Sequence, residues 1–70
     1  MEITLNGEKQ LVEGSSVTIS ELLARNKVVS PETVSVQLNE RFISPALYPT
    51  THLGETDRVD FLYFLGGGER

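Results

Sequence analysis

Cysteine is absent from this chain of 70 residues. That removes disulfides, thiolate metal sites, iron–sulfur ligation and cysteine nucleophiles in one step. Histidine is almost absent too. The single one, His52, has no partner at ligand or triad spacing and reads as a surface residue. Basic side chains are few and scattered: Lys9, Arg25, Lys27, Arg41, Arg58 and Arg70 make six, against ten acidic residues and a net charge of −4. No basic stripe is available for phosphate, so nucleic acid is not an expected partner. No apolar run approaches the roughly 20 residues of a membrane span. Met1-Glu2-Ile3-Thr4 offers neither the charged nor the apolar region of a signal peptide. There is no P-loop and no dinucleotide fingerprint. The expectation is one soluble, cytoplasmic domain with no metal site and no permanently bound cofactor. Its core is thin, because a chain of this size buries only about 60% of the surface it exposes when unfolded.

What is present reads as alternating short elements. Met1, Ile3 and Leu5 alternate with Glu2 and Thr4, the pattern of a half-buried strand. Asn6-Gly7 is a strong hairpin signal, since both residues accept positive φ. The return strand is expected over Lys9 to Glu13, with Leu11 as its inward anchor, until Gly14-Ser15-Ser16 breaks it. Thr18-Ile19-Ser20-Glu21 has the spacing of a capping box, with Val17 placed to act as a hydrophobic staple. The helix it opens fades near Arg25-Asn26-Lys27. Val34, Val36 and Leu38 mark a further strand, Asn39-Glu40-Arg41 a turn, and Phe42-Ile43 a short strand stopped by Pro45. Phe42 and Tyr48 read as core or loop anchors. A loop to Leu53 and a polar turn, Gly54-Glu55-Thr56-Asp57, lead to a last strand from Arg58 to Leu65, the most hydrophobic segment of the chain. Asp57 reads as a turn former and Asp60 as a solvated strand residue, not as an acid–base pair.

This order implies an α+β fold: a mixed sheet of four to five strands with one main helix on one face. The last strand can lie centrally, parallel to the first, with the helix making a right-handed crossover. Val59, Phe61 and Tyr63 are then expected to face the helix. Leu62 and Phe64 share the opposite face with Asp60, where no second helix covers them, and read as a partner-docking surface. The alternative is that Leu47, Tyr48 and Leu53 fold over and bury them. Residues 1–65 form the domain, and residues 66–70 a flexible glycine-rich tail.

Three segments carry a family resemblance: Leu38-Asn39-Glu40-Arg41-Phe42-Ile43, then Leu53-Gly54-Glu55-Thr56-Asp57-Arg58-Val59, then Phe64-Leu65-Gly66-Gly67-Gly68. At this length and in this order, the chain resembles the ubiquitin-like, β-grasp sulfur carriers of thiamine biosynthesis (ThiS-like). The resemblance implies a protein co-substrate, not an enzyme. A ubiquitin-activating-type partner would use ATP to adenylate a terminal glycine carboxylate, which sulfur then converts to a thiocarboxylate for thiazole synthase. Gly68 is the expected sulfur-carrying residue. Gly66 and Gly67 would thread into the partner, because glycine has no Cβ and fits a narrow channel. The chain departs from the family in two places. Thr56-Asp57 stands where Gly-Asp is usual, and Glu69-Arg70 follows the last glycine, which calls for a trimming peptidase. A molybdopterin-synthase small subunit, a carrier for another sulfur pathway, and an interaction domain with an inert tail remain alternatives.

Overall fold

The structure is a computed structural model; it describes residues 1–28 and 30–63, and for Glu32 the backbone alone. Five strands and one helix appear in the order β1 (Glu2–Leu5), β2 (Glu8–Leu11), α1 (Ile19–Arg25), β3 (Val34–Leu38), β4 (Arg41–Ile43) and β5 (Arg58–Tyr63), with short 3₁₀ turns at Pro31–Thr33 and Pro45–Leu47. The strands form one sheet in the order β2-β1-β5-β3-β4. β1 and β5 run parallel at its centre, and every other pairing is antiparallel. The last strand is therefore central, as the sequence implies.

The first hairpin forms on Asn6 and Gly7, at φ 52° and 85°. These are the left-handed angles that a two-residue turn needs. Its register corrects one expectation. Ile3 faces Gln10 and Glu2 faces Leu11 across the ladder. Residues directly opposite share a face. Leu11 therefore points outward with Glu2 and is 80% exposed. The inward anchor is Val12, which pairs with Met1 through backbone bonds in both directions and is buried.

The helix begins as its sequence specifies. The Thr18 hydroxyl accepts from the Glu21 amide at 3.1 Å, and the Glu21 carboxylate accepts from the Thr18 amide at 2.9 Å. Val17 and Leu22, the staple positions, are both buried. At the other end Lys27 adopts φ 63°. The Lys27 and Val28 amides donate to Ala24 and Leu23, closing the last turn. Arg25 donates to the Glu13 carbonyl at 2.6 Å, which ties the helix to the end of the first hairpin. A helix of seven residues does not persist alone. It is held because Ile19, Leu22 and Leu23 pack fully buried against Ile3, Val34, Val36, Val59 and Phe61 of the sheet.

The second hairpin turns on Asn39 and Glu40, at φ 52° and 71°, again in a two-residue loop but without glycine. Asn39 compensates with its side chain. Its carbonyl oxygen accepts from the Arg58 amide at 2.9 Å and its NH₂ donates to Asp57 at 3.1 Å. Ahead of β5, the Asp57 carboxylate accepts from the Gly54 amide at 2.7 Å, and the Thr56 amide donates to the Glu2 carbonyl. Thr56 itself sits at φ 67°. The residue that departs from the family pattern occupies a left-handed position that glycine would fill without strain.

One tyrosine completes the sheet. The Asn39 amide bonds Arg58 in β5. The main-chain groups of Val34, Val36 and Leu38, which alternate with it, therefore leave β3 on the β4 side. β4 ends at Ile43 and a 3₁₀ turn begins at Pro45. The buried Tyr48 hydroxyl stands in for the missing strand. It donates to the Val34 carbonyl at 2.9 Å and accepts from the Val36 amide at 3.2 Å.

Candidate docking site at the end of the central strand

β5 is built to deliver the chain out of the middle of the sheet. Its even-numbered residues bond β3, through Arg58, Asp60 and Leu62. Its odd-numbered residues face β1, and the Asp57 carbonyl just before it does the same. That carbonyl accepts from the Thr4 amide and the Val59 carbonyl from the Asn6 amide, each at 2.9 Å. β1 then ends. The Asn6 side chain extends the ladder by one step, its carbonyl oxygen accepting from the Phe61 amide at 2.8 Å. Gly66, Gly67 and Gly68 follow in the sequence, and they, with Phe64 and Leu65, lie outside the described residues.

The two faces of β5 differ as alternation implies. Val59 and Phe61 are buried beneath the helix. Tyr63 lies on the same face, its ring edge-on to Phe61 with centroids 6.5 Å apart, but it is 56% exposed, which corrects the expectation that the helix covers it. The reason is length. Helix α1 has seven residues and β5 has six. At their respective rises per residue the helix covers about 10 Å and the strand about 20 Å. On the outer face Leu62 is 44% exposed. The loop that could have buried it packs elsewhere. Tyr48 and Leu53 are buried in the helix-side core, the Tyr48 carbonyl accepting from Ser20 and the Leu53 amide donating to Val17, while Leu47 stays exposed. Phe42, read as a core or loop anchor, is instead exposed on the outer face, because it lies opposite Gln37, which in turn lies opposite Asp60. Leu62 and Phe42 thus share the outer face, with β3 between them.

The charged groups nearby do not form a catalytic set. Arg58 pairs with Glu40 and with Asp60, each at 3.4 Å. Near the surface such pairs contribute little. Asp57 holds its turn, and His52 is exposed with only its backbone bridged to Thr18. Among the described residues no group of three potential ligands could hold a metal ion, and no helix is long and apolar enough to cross a membrane. A shallow hollow of about 290 Å³ between β2 and α1 is lined by Leu11, Val12 and Arg25, whose guanidinium is already engaged by the Glu13 carbonyl. The sequence reading missed Asn6 as the group that finishes the β1–β5 ladder and Phe42 as an exposed residue on the face that carries Leu62.

Comparison with known proteins bears on this arrangement. The ThiS family model matches residues 1–68. The crystal structure of a thiamine biosynthesis protein (ThiS) from Geobacter metallireducens superposes with a TM-score of 0.83 at 39% identity, covering 97% of this chain and 100% of that one. The solution structure of a thiamine biosynthesis protein from the same organism gives 0.81 at 38% identity, covering 100% of this chain and 91% of that one. A thiazole synthase from Magnetococcus marinus is 35% identical over 69 residues, 99% of this chain; the chain spans 21% of that protein's length.

Proposed function

The chain belongs to the ThiS family, and we propose that it is a sulfur carrier for thiazole formation in thiamine biosynthesis, with Gly68 as the sulfur-bearing residue. One observation supports this most. Gly66-Gly67-Gly68 follow within a few residues of the strand at the centre of the sheet, and the family match ends on Gly68. Three extended residues reach roughly 10 Å, enough to carry a carboxylate into a partner while the folded body stays outside. The similarity to a thiazole synthase favours thiazole formation over the other sulfur pathways.

The chain acts here as a co-substrate, not a catalyst. A partner of the adenylating class binds ATP and the carrier; the Gly68 carboxylate attacks the α-phosphate, and pyrophosphate leaves. A sulfur nucleophile then attacks the acyl carbon and displaces AMP, which leaves a thiocarboxylate. The remote binding energy comes from the folded body. Leu62 and Phe64 are the proposed contacts, with Phe42 added as an exposed apolar side chain on the same face as Leu62. The setting is the cytoplasm. In this sequence the Gly68 carboxyl is bonded to Glu69, so the carrier step requires hydrolysis of that bond by a peptidase.

Intact-mass spectrometry tests the proposal. A form ending on Gly68, incubated with ATP, the adenylating enzyme of the same organism and a sulfide source, is expected to gain the oxygen-to-sulfur increment. The form that retains Glu69-Arg70 is expected to stay unchanged. No increment in the Gly68 form refutes the carrier reading.

A further inference from the structure

Sheet edges invite pairing by other chains. The outer edge of β2 is flanked by exposed, charged Glu8 and Lys9. The edge of β3 beyond β4 is sealed by the Tyr48 hydroxyl. Apart from the outer edges of β2 and β4 at the two ends of the sheet, one stretch of the central strand is left open among the described residues. β1 stops at Leu5, and Asn6 reaches only as far as the Phe61 amide. The next groups facing the β1 side are the Phe61 carbonyl and the Tyr63 amide, because alternate residues of a strand direct their main-chain groups to the same edge. Among the described residues nothing bonds either of them.

We propose that this edge of β5, from Asn6 to Tyr63, is a strand-addition site, where an extended segment of the adenylating enzyme pairs with the central strand as the carrier docks. The inference rests on the carrier reading and specifies how the body is recognised. The edge offers main-chain groups at strand spacing, which an extended chain alone matches. It lies where the chain continues toward Gly66, so an enzyme that receives the tail must already lie against it. It is bracketed by Tyr63 on one face and Leu62 on the other, both exposed, so an added strand gains an apolar neighbour on each side. The pairing also fixes the direction in which β5 points into the enzyme, which side-chain contact on the outer face alone does not.

Tyr63→Pro tests this. Proline deletes the N–H aimed at the open edge and leaves the Leu62 bonds to β3 in place. The extended backbone of Leu62 is the conformation a following proline favours. Binding of the form ending on Gly68 to the adenylating enzyme, measured by calorimetry, is expected to weaken about five- to tenfold. Tyr63→Ala, which keeps the N–H, is expected to weaken it less. Equal losses for the two variants, or none for proline, overturn the edge while the carrier reading stands. A chain of otherwise wild-type sequence ending on Gly68 that does not bind the enzyme overturns both. Amide exchange at Tyr63 in that chain, ¹⁵N-labelled, decides the matter if the proline variant fails to fold: the amide is expected to become protected in the complex, and unchanged exchange overturns the proposal.

Discussion

Replacing Tyr48 by phenylalanine removes a single oxygen from a position where it substitutes for a strand. The ring stays, so no cavity opens and the apolar burial is unchanged. What goes is the bond donated to Val34 at 2.9 Å and the bond accepted from Val36 at 3.2 Å. Each such bond contributes about 1 kcal/mol net, and a buried carbonyl or amide left without a partner costs about 1–3 kcal/mol. Relaxation of β4 toward Val36 recovers part of this, so the expected loss is about 2 kcal/mol. For a domain of this size each kcal/mol shifts the thermal midpoint by about 4–8 °C, so the midpoint should fall by roughly 8–16 °C. Urea and thermal unfolding followed by circular dichroism measure both quantities, and an unchanged urea slope shows that the unfolded state is not involved. Tyr63→Phe is the control, the same chemical change at an exposed tyrosine. It is expected to stay within about 0.5 kcal/mol. If Tyr48→Phe costs no more than the control, the hydroxyl does not complete the sheet and the reasoning fails.

Three further outcomes are expected. Thr56→Gly should stabilise the fold by about 0.5–1 kcal/mol in urea titrations, and a destabilised variant refutes this. The reason is that relief of a β-branched residue at φ 67° outweighs the extra chain entropy glycine adds to the unfolded state. Val12→Ala should cost about 1–2 kcal/mol in the same titrations. Leu11→Gln should stay within about 0.5 kcal/mol. The reverse order would contradict the β1–β2 register. Leu62→Asp, at an exposed position, should weaken binding to the adenylating enzyme about tenfold or more with its unfolding midpoint little changed. Unaltered binding removes Leu62 from the docking surface.

The elements that could be read from the sequence are those whose signals are local. The capping box at Thr18 and Glu21, the Asn6-Gly7 turn, and the alternation in β1, β3 and β5 all act within a few residues. Two of the misread side chains share one cause. Leu11 and Phe42 both lie on return strands, where alternation fixes which residues share a face but not which face is inward. That choice is made across the turn. With a two-residue loop, Leu5 lies opposite Glu8, so Val12 and not Leu11 falls inward with Met1 and Ile3. By the same parity Phe42 lies opposite outward Gln37. Counting through the hairpin would have placed both. Tyr48 could not be placed this way, because its partners lie more than ten residues upstream and its role depends on β4 stopping short. The exposure of Tyr63 depends on helix length, which alternation does not encode. The candidate glycines were legible only through family resemblance. Composition and spacing alone do not distinguish a functional Gly-Gly-Gly from a linker, and these residues lie outside the described part of the structure.

The parallel pairing of β1 with β5 also bears on how the molecule is made. Thr4 leaves the ribosome well before Arg58, its partner across the ladder. Contacts between residues so distant in sequence form slowly, and the centre of the sheet has no substitute for them. A nascent or prematurely terminated chain lacking β5 therefore has no assembled body to present. The order of synthesis adds Gly66-Gly67-Gly68 only after β5, the strand that completes the centre of the sheet, has been made.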